Sequence, residues 1–191
     1  MNQYLTEEIT TFIQTTDNEV SARYRLLIIG GAAAALAYHV SRATTDIDTI
    51  GEVPEALRIA FERAKQKTGI FIPVTPVGVF DAPYNYETRL VPLSQLNLRN
   101  LEIVVPERHD LALMKTVRGY ENDFQAISDM HQQEPLSSEI LLDRYLNEMG
   151  HEIGRPGMID LNFISLVQIL FGEAEKEKVE AAINKKKAEN K

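Results

Sequence analysis

The segment LLIIGGAAAALAYHVSRATTDIDTI, residues 26–50, decides how this chain is expected to fold. Its first four residues form an apolar run that indicates a short buried strand, and Gly30-Gly31 ends that run. Residues 32–41 are rich in alanine and predict a tightly packed helix. Apolar and polar side chains then alternate over residues 44–50, as in a second strand. The segment therefore predicts a strand, a glycine turn, a helix and a strand in succession.

Two aspartates, Asp46 and Asp48, lie two residues apart in the second predicted strand. Residues at that spacing point the same way, with Cα atoms roughly 6.5 Å apart. Without a cation the two carboxylates would repel each other, and aspartate is a weak strand former. Oxygen-only ligands that face phosphates favour Mg²⁺, with Mn²⁺ as the other expected ion. The pair therefore predicts a divalent metal site.

The glycine pair supplies a complementary feature, because a turn at a helix N-terminus presents backbone N–H groups and the positive end of the helix dipole to a phosphate. Taken separately, each feature has a plainer interpretation. Gly-Gly is usually only a turn, and Asp-x-Asp is usually a solvated edge or a cap. The order of the two features, with a helix between them, makes the combination more specific.

The rest of the chain predicts a mixed sheet covered by helices, followed by a helical lobe. Helices are expected over residues 4–16 and 54–67, and most of the chain beyond Pro106 is expected to be helical. Strand-like runs cover residues 71–79, 87–93 and 101–105. The predicted class is α/β (α+β), with one domain over residues 1–132 and a helical lobe with a charged tail over residues 133–191.

Composition narrows the expected partners. The 191 residues include 28 acidic and 20 basic side chains, a formal charge of −8, so a broad electrostatic grip on nucleic acid is not expected. A polyanion would have to be bound at a local basic patch or through bound metal. There is no cysteine, which excludes disulfides and thiolate metal sites, and no apolar run is long enough to span a bilayer. A soluble, cytoplasmic protein without a membrane partner is expected.

The same segment resembles the signature of the nucleotidyltransferase superfamily: an apolar strand, a glycine pair, a helix and then Asp-x-Asp. More narrowly, it is similar to the nucleotidyltransferase-like family related to the AbiEii toxins of bacterial abortive-infection and type IV toxin–antitoxin systems. Residues 42–48, RATTDID, match that family's Arg-x-Thr-x-Asp-Ile-Asp. Residues 89–127 are similar to its second block, in which a strand is followed by Asp-Leu-x-x-x-Lys on a helix and then by an acidic position. The resemblance spans roughly residues 20–132.

The resemblance implies the nucleotidyltransferase fold and a metal-dependent transfer of a nucleoside monophosphate from a nucleoside triphosphate (NTP) to RNA, protein or a small molecule. It also implies a cognate antitoxin or other partner protein. Asp46 and Asp48 would hold the metal, and Glu102 would be the third catalytic carboxylate, with Asp81 as second choice. The expected nucleotide-binding residues are Gly30, Gly31, Arg42, Thr44, Thr45, Asp110, Lys115, Arg118 and Asp123.

Two alternatives remain open from the residues themselves. Lys115 and Arg118 lie three apart on a predicted helix, so they can serve phosphate oxygens or form an ordinary ion-pair cluster with nearby carboxylates. Ala32-Ala33 follows the glycine pair, where many active members of the superfamily have serine. The second hypothesis for the whole chain is therefore a catalytically degenerate module that binds nucleotide or a partner protein.

Overall fold

The computed structural model describes residues 2–149 and 156–189. The chain forms two compact units, and each is described by itself. The first comprises Met1–Val79 and Arg89–Pro106, and the second comprises Phe80–Thr88 and Glu107–Lys191. The boundary predicted between residues 132 and 133 lies inside the second unit.

The first unit contains a mixed five-stranded sheet with strand order β3-β2-β1-β5-β4. β1 pairs antiparallel with β2 and parallel with β5, β2 pairs parallel with β3, and β4 pairs antiparallel with β5. This mixed sheet confirms the predicted class. The strands are β1 (Tyr24–Ile29), β2 (Ile47–Ile50), β3 (Val74–Val77), β4 (Val91–Pro92) and β5 (Leu101–Val105).

Three helices belong to the same unit: α1 (Thr6–Glu19), α2 (Gly30–Tyr38) and α3 (Glu55–Thr68). Phe12 of α1 stacks on Phe61 of α3 with ring centroids 5.8 Å apart, so these two helices share a core. α2 ends earlier than predicted, because His39 takes the left-handed conformation, with φ of 54°.

Two strand predictions need correction. β2 begins at Ile47 rather than Thr44, so Asp46 lies just before the strand. The run over residues 87–93 begins within a 3-10 helix, Tyr86–Arg89, and only Val91–Pro92 form a strand, the short β4. Pro92 has no N–H to donate, which suits this short strand at the sheet edge. The prediction over residues 101–105 is confirmed as β5.

The second unit is helical. Its core includes Leu113, Ile127, Leu141 and Phe163, each at most 1% exposed, and Tyr145 stacks on Phe163 with centroids 4.0 Å apart. Its helices are α4 (Arg108–Arg118), α5 (Glu121–Gln133), α6 (Ser138–Glu148), α7 (Pro156–Phe171) and α8 (Glu173–Glu189). The helical C-terminal half is thus confirmed, although the break predicted at residues 154–157 falls partly outside the described residues. Within residues 2–149 and 156–189, no helix is both long and apolar enough to cross a membrane.

Candidate functional site

The glycine turn lies directly against the side chain of Asp48. Gly30 follows β1 and begins α2 with φ of 70°, a conformation that glycine adopts without steric cost. A Cβ atom at Gly30 would lie 2.9 Å from Oδ2 of Asp48. The strand register explains this contact, because Asp48 is paired with Ile29, the last residue of β1. A side chain at residue 30 would therefore displace the Asp48 carboxylate.

Thr44 makes the equivalent contact with the second glycine. A Cβ atom at Gly31 would lie 2.8 Å from the Thr44 hydroxyl oxygen. That hydroxyl donates to the carbonyl of Asp46 at 3.1 Å, and the Thr44 backbone exchanges two hydrogen bonds with Tyr4, at 2.8 and 3.0 Å. The segment before β2 is thereby held against the turn, and the structure brings the glycine pair, Thr44 and Asp48 together as expected.

The predicted alternation of side chains holds through β2. Ile47 is 1% exposed and Thr49 is fully buried, whereas Asp46 and Asp48 are both partly exposed. The residues that precede them, exposed Arg42 and partly exposed Thr45, lie on the same connection between α2 and β2. Neither aspartate is therefore sequestered in the core.

The start of α2 adds an electrostatic feature. The residue before the helix is Ile29, which has no side-chain oxygen to cap the first-turn N–H groups. The positive end of the nine-residue helix is therefore close to a carboxylate oxygen of Asp48. Carboxylate oxygens are the ligands that Mg²⁺ prefers, and a helix N-terminus accommodates a phosphate. These groups fit a divalent cation carrying a phosphorylated ligand.

Glu102, the predicted third carboxylate, lies further along the sheet from the glycine turn, and its catalytic role stays a prediction. It lies in β5 beside Arg25, with Arg25 Nε 3.9 Å from Glu102 Oε1. Arg25 precedes Ile29, the partner of Asp48, by four residues on β1, a separation of ~13 Å along the strand. The residue level with Asp48 on β3 is Thr75, and the second choice, Asp81, belongs to the other unit. Among the described residues, no three His, Asp or Glu side chains are grouped as a metal site.

The predicted nucleotide-binding residues of the second unit form a largely buried ion-pair cluster. Asp110 is fully buried and accepts a hydrogen bond from Arg144 at 2.9 Å. Lys115 and Asp123 are 5% and 3% exposed, and Lys115 Nζ lies 3.2 Å from Asp123 Oδ1. Arg118 is half-exposed and contacts the same oxygen at 2.6 Å. These contacts join α4 to α5 and α6, and a nucleotide-binding role for the four residues stays a prediction.

One carboxylate that sequence reasoning missed is Glu107, which caps α4 by accepting from the backbone N–H of His109 at 3.1 Å. It also accepts from His109 Nδ1 at 2.7 Å and from Arg144 at 2.5 Å. Burial opposes ionisation, but the hydrogen bonds from His109 and Arg144 outweigh it and lower the pKa of Glu107 to about 2. The acid before the helix is a recognisable N-terminal signal. Its pairing with Arg144, 37 residues later, has no local sequence signal.

A glycine turn and an aspartate that converge where a strand of a mixed sheet meets a helix define a class of α/β domain suited to nucleotide phosphates. Residues 4–155 match a family described as "nucleotidyltransferase of unknown function (DUF6036)". The chain belongs to this family. No curated protein and no solved structure matches it.

Proposed function

We propose that this protein is a metal-dependent nucleotidyltransferase, which transfers a nucleoside monophosphate from an NTP to an acceptor. The observation that supports this most directly is the approach of the Asp48 carboxylate to the Gly30 turn at the start of α2. Membership of a nucleotidyltransferase family supports the reaction class. Asp46 and Asp48 would hold Mg²⁺ or Mn²⁺, which would neutralise phosphate charge and orient the reacting groups.

The chain's own contribution would be to position the triphosphate. The turn at Gly30-Gly31 lets phosphate oxygens approach the backbone, and Thr44 keeps the acidic segment against that turn. In the reaction, the acceptor hydroxyl oxygen bonds to the α-phosphorus as the bond from that phosphorus to the bridging oxygen breaks. Pyrophosphate leaves and the hydroxyl proton is released. Such a transfer requires positioning and charge neutralisation more than covalent work by the protein.

We also propose the narrower assignment, a toxin-like component of a bacterial abortive-infection or toxin–antitoxin pair that acts in the cytoplasm. Its support is the match of residues 42–48 to the AbiEii-related pattern, together with the second block that contains Asp110, Lys115 and Asp123. The expected partner is a cognate antitoxin.

One observation favours a second candidate, a module that binds nucleotide without transferring it. Thr75 occupies the β3 position level with Asp48, and Glu102 lies ~13 Å further along the sheet. A third carboxylate that would activate the acceptor hydroxyl is therefore not supplied by either position. In this candidate, Asp46 and Asp48 would still hold a metal-bound nucleotide.

Thermal unfolding with each of the four NTPs, with and without Mg²⁺, tests the shared binding step. At a nucleotide concentration of 100 Kd, binding stabilises the folded state by about 2.7 kcal/mol. The variant Asp46→Asn/Asp48→Asn should lose this stabilisation and reduce transfer of labelled nucleotide by at least about 100-fold, because the several kcal/mol that a bound metal supplies are removed.

A matched control removes two carboxylates elsewhere in the same unit. Glu55→Gln/Glu62→Gln changes exposed residues of α3 by the same net charge and should retain both effects. Metal-dependent stabilisation without transfer to RNA, protein or small acceptors would favour the binding module. Stabilisation that survives in Asp46→Asn/Asp48→Asn would contradict both candidates.

A further inference from the structure

A cavity of about 630 Å³ lies in the first unit, at the end of the sheet where β1 and β5 begin. Three arginines line it, namely Arg23, Arg25 and Arg99. Among the described residues that line the cavity, Glu102 is the single carboxylate. We name this feature the arginine groove. Its composition contrasts with a chain whose formal charge is −8.

The guanidinium groups of the arginine groove are largely uncommitted. In the part of the chain that the structure describes, the side chains of Arg23 and Arg99 form no hydrogen bond or ion pair, and both residues are exposed. Arg25 has only the 3.9 Å contact with Glu102, with both side chains about 60% exposed. Such an exposed pair contributes little. The three cations are therefore available to an anionic ligand.

The loop that carries Arg99 is fixed by a buried acid. Asp17 of α1 is 4% exposed, and its carboxylate accepts from the backbone N–H groups of Arg99, Asn100 and Leu101 at 3.0, 2.7 and 2.7 Å. The Asn100 side chain donates in return to the carbonyls of Asp17 and Val20. This places one wall of the groove in a defined position before any ligand binds, which lowers the ordering cost of binding.

The arginine groove is separate from the Asp46–Asp48 pair but lies on the same face of the sheet. Arg25, Leu27 and Ile29 alternate onto one face of β1, and Asp48 is the cross-strand partner of Ile29. Arg25 is therefore ~13 Å from the level of Asp48 along the strand. A triphosphate bound at the glycine turn leaves the groove for a different anion.

We infer that the arginine groove binds the phosphate backbone of a single-stranded RNA, the acceptor class of the transfer proposed above. The acceptor role of this RNA rests on the proposed function, whereas RNA binding itself does not depend on catalysis. Arginine suits the ligand because its planar fork binds phosphate oxygens in a bidentate manner.

Fluorescence anisotropy with a labelled 12-nucleotide single-stranded RNA tests the inference without NTP or metal. With three phosphate contacts, log K should fall against log salt with a slope of about −2, or roughly 20-fold in affinity from 50 to 200 mM KCl. Arg23→Ala/Arg99→Ala should weaken binding by at least about tenfold and reduce the slope to about −0.7. Both side chains are exposed, so the circular dichroism spectrum and the melting temperature of this double variant should match those of the wild type.

Two control variants separate the groove from general charge and from the metal pair. Arg63→Ala/Lys185→Ala removes two exposed cations elsewhere and should change affinity by less than about twofold. Asp46→Asn/Asp48→Asn should bind the RNA undiminished even where transfer is abolished. The variant Glu102→Gln, which removes the negative charge within the groove, should bind the RNA slightly more tightly.

Several outcomes would overturn the inference. Unchanged binding by Arg23→Ala/Arg99→Ala, or an equal loss in the charge-matched control, would exclude the groove as the RNA site. Competition by inorganic triphosphate at the same concentration as the RNA would identify a small-anion site instead. RNA binding that is lost in Asp46→Asn/Asp48→Asn would also overturn the inference. So would transfer of label to a protein by a chain that does not bind the RNA. Either result would leave the proposed function standing.

Discussion

The acidic residues at the glycine turn and those in the helical unit were predicted as parts of one site, but the structure gives them different environments. Asp46 and Asp48 are partly exposed and lie beside a helix N-terminus. Asp110 and Asp123 are 0% and 3% exposed and are held by arginine and lysine side chains of their own unit. The same residue type thus lies at a partly exposed turn in one unit and in a protein interior in the other.

This difference separates two reasons for placing a carboxylate in a fold. A buried acid with a cationic partner is costly to disrupt, because removing one charge leaves the other unpaired in a poorly solvated interior. Neighbouring carboxylates, by contrast, repel each other unless a cation lies between them. The first arrangement should show its effect in stability, and the second in ligand binding.

The largest expected effect is on the stability of the helical unit. Asp123→Ala removes the buried carboxylate that Lys115 and Arg118 both contact, and we expect a loss of about 3–5 kcal/mol in the free energy of unfolding. Asp129→Ala is the matched control on α5, because Asp129 is only partly buried and accepts from the neighbouring Gln125 side chain. It should cost less than about 1 kcal/mol. Urea denaturation measures both.

A double variant keeps this test informative if Asp123→Ala does not fold. Lys115→Met/Asp123→Leu removes both charges, so it should recover much of the lost stability. Equal losses for Asp123→Ala and Asp129→Ala would remove the distinction between the two environments.

The second expected effect concerns pH and sharpens the account of the helical unit. Hydrogen bonds from His109 and Arg144 outweigh burial and lower the pKa of Glu107 from its ordinary 4.5 to about 2. A lowered folded-state pKa means that the stabilisation is complete above pH 4.5 and is lost as the pH falls towards 2. The difference in unfolding free energy between wild type and Glu107→Gln should shrink over this window, by up to about 1.4 kcal/mol per pH unit.

Denaturation curves of the two proteins between pH 2 and 6 provide the measurement. Glu62→Gln, an exposed acid of α3 with one lysine contact, serves as the reference and should show a much smaller change with pH. A difference between wild type and Glu107→Gln that stays constant across the window would mean that the hydrogen bonds do not lower the pKa of Glu107.

What the sequence predicted well was local. The glycine turn and the alternation through Asp48 depend on neighbours within about 20 residues, and the structure places them together. Glu102 has the right residue type on a correctly predicted strand. Its position depends on the parallel register that pairs it with Arg25, and such a pairing between distant segments has no local signature.

In the helical unit, the burial of charged residues likewise could not be predicted from local sequence. The spacing of Lys115 and Arg118 predicted neighbours on one helix face with nearby carboxylates as partners, and Lys115 and Asp123 do form an ion pair. Their burial depends on α7 and other packed helices, and the partner of Asp110 comes from α6, 34 residues away in sequence. A pattern on one helix cannot distinguish a ligand-facing charge from one that holds two helices together.

The smallest expected effect isolates the contact between the glycine turn and Asp48. Gly30 and Gly69 have nearly equal φ values, 70° and 71°, but a Cβ atom at Gly69 meets nothing within 4 Å. Gly69→Ala should therefore show backbone strain alone, about 1 kcal/mol, whereas Gly30→Ala should lose about 1 kcal/mol more because its methyl group displaces the Asp48 carboxylate.

Urea denaturation of both variants measures this difference, and thermal shifts with NTP and Mg²⁺ show whether it reaches the ligand. Gly69→Ala should keep the metal-dependent stabilisation, and Gly30→Ala should lose most of it. Because backbone strain is common to both substitutions, only the displaced carboxylate can separate them. If the two variants bind nucleotide equally well, the close approach of residue 30 to Asp48 has no part in binding. The acids at the turn would then differ from those in the helical unit only in how exposed they are.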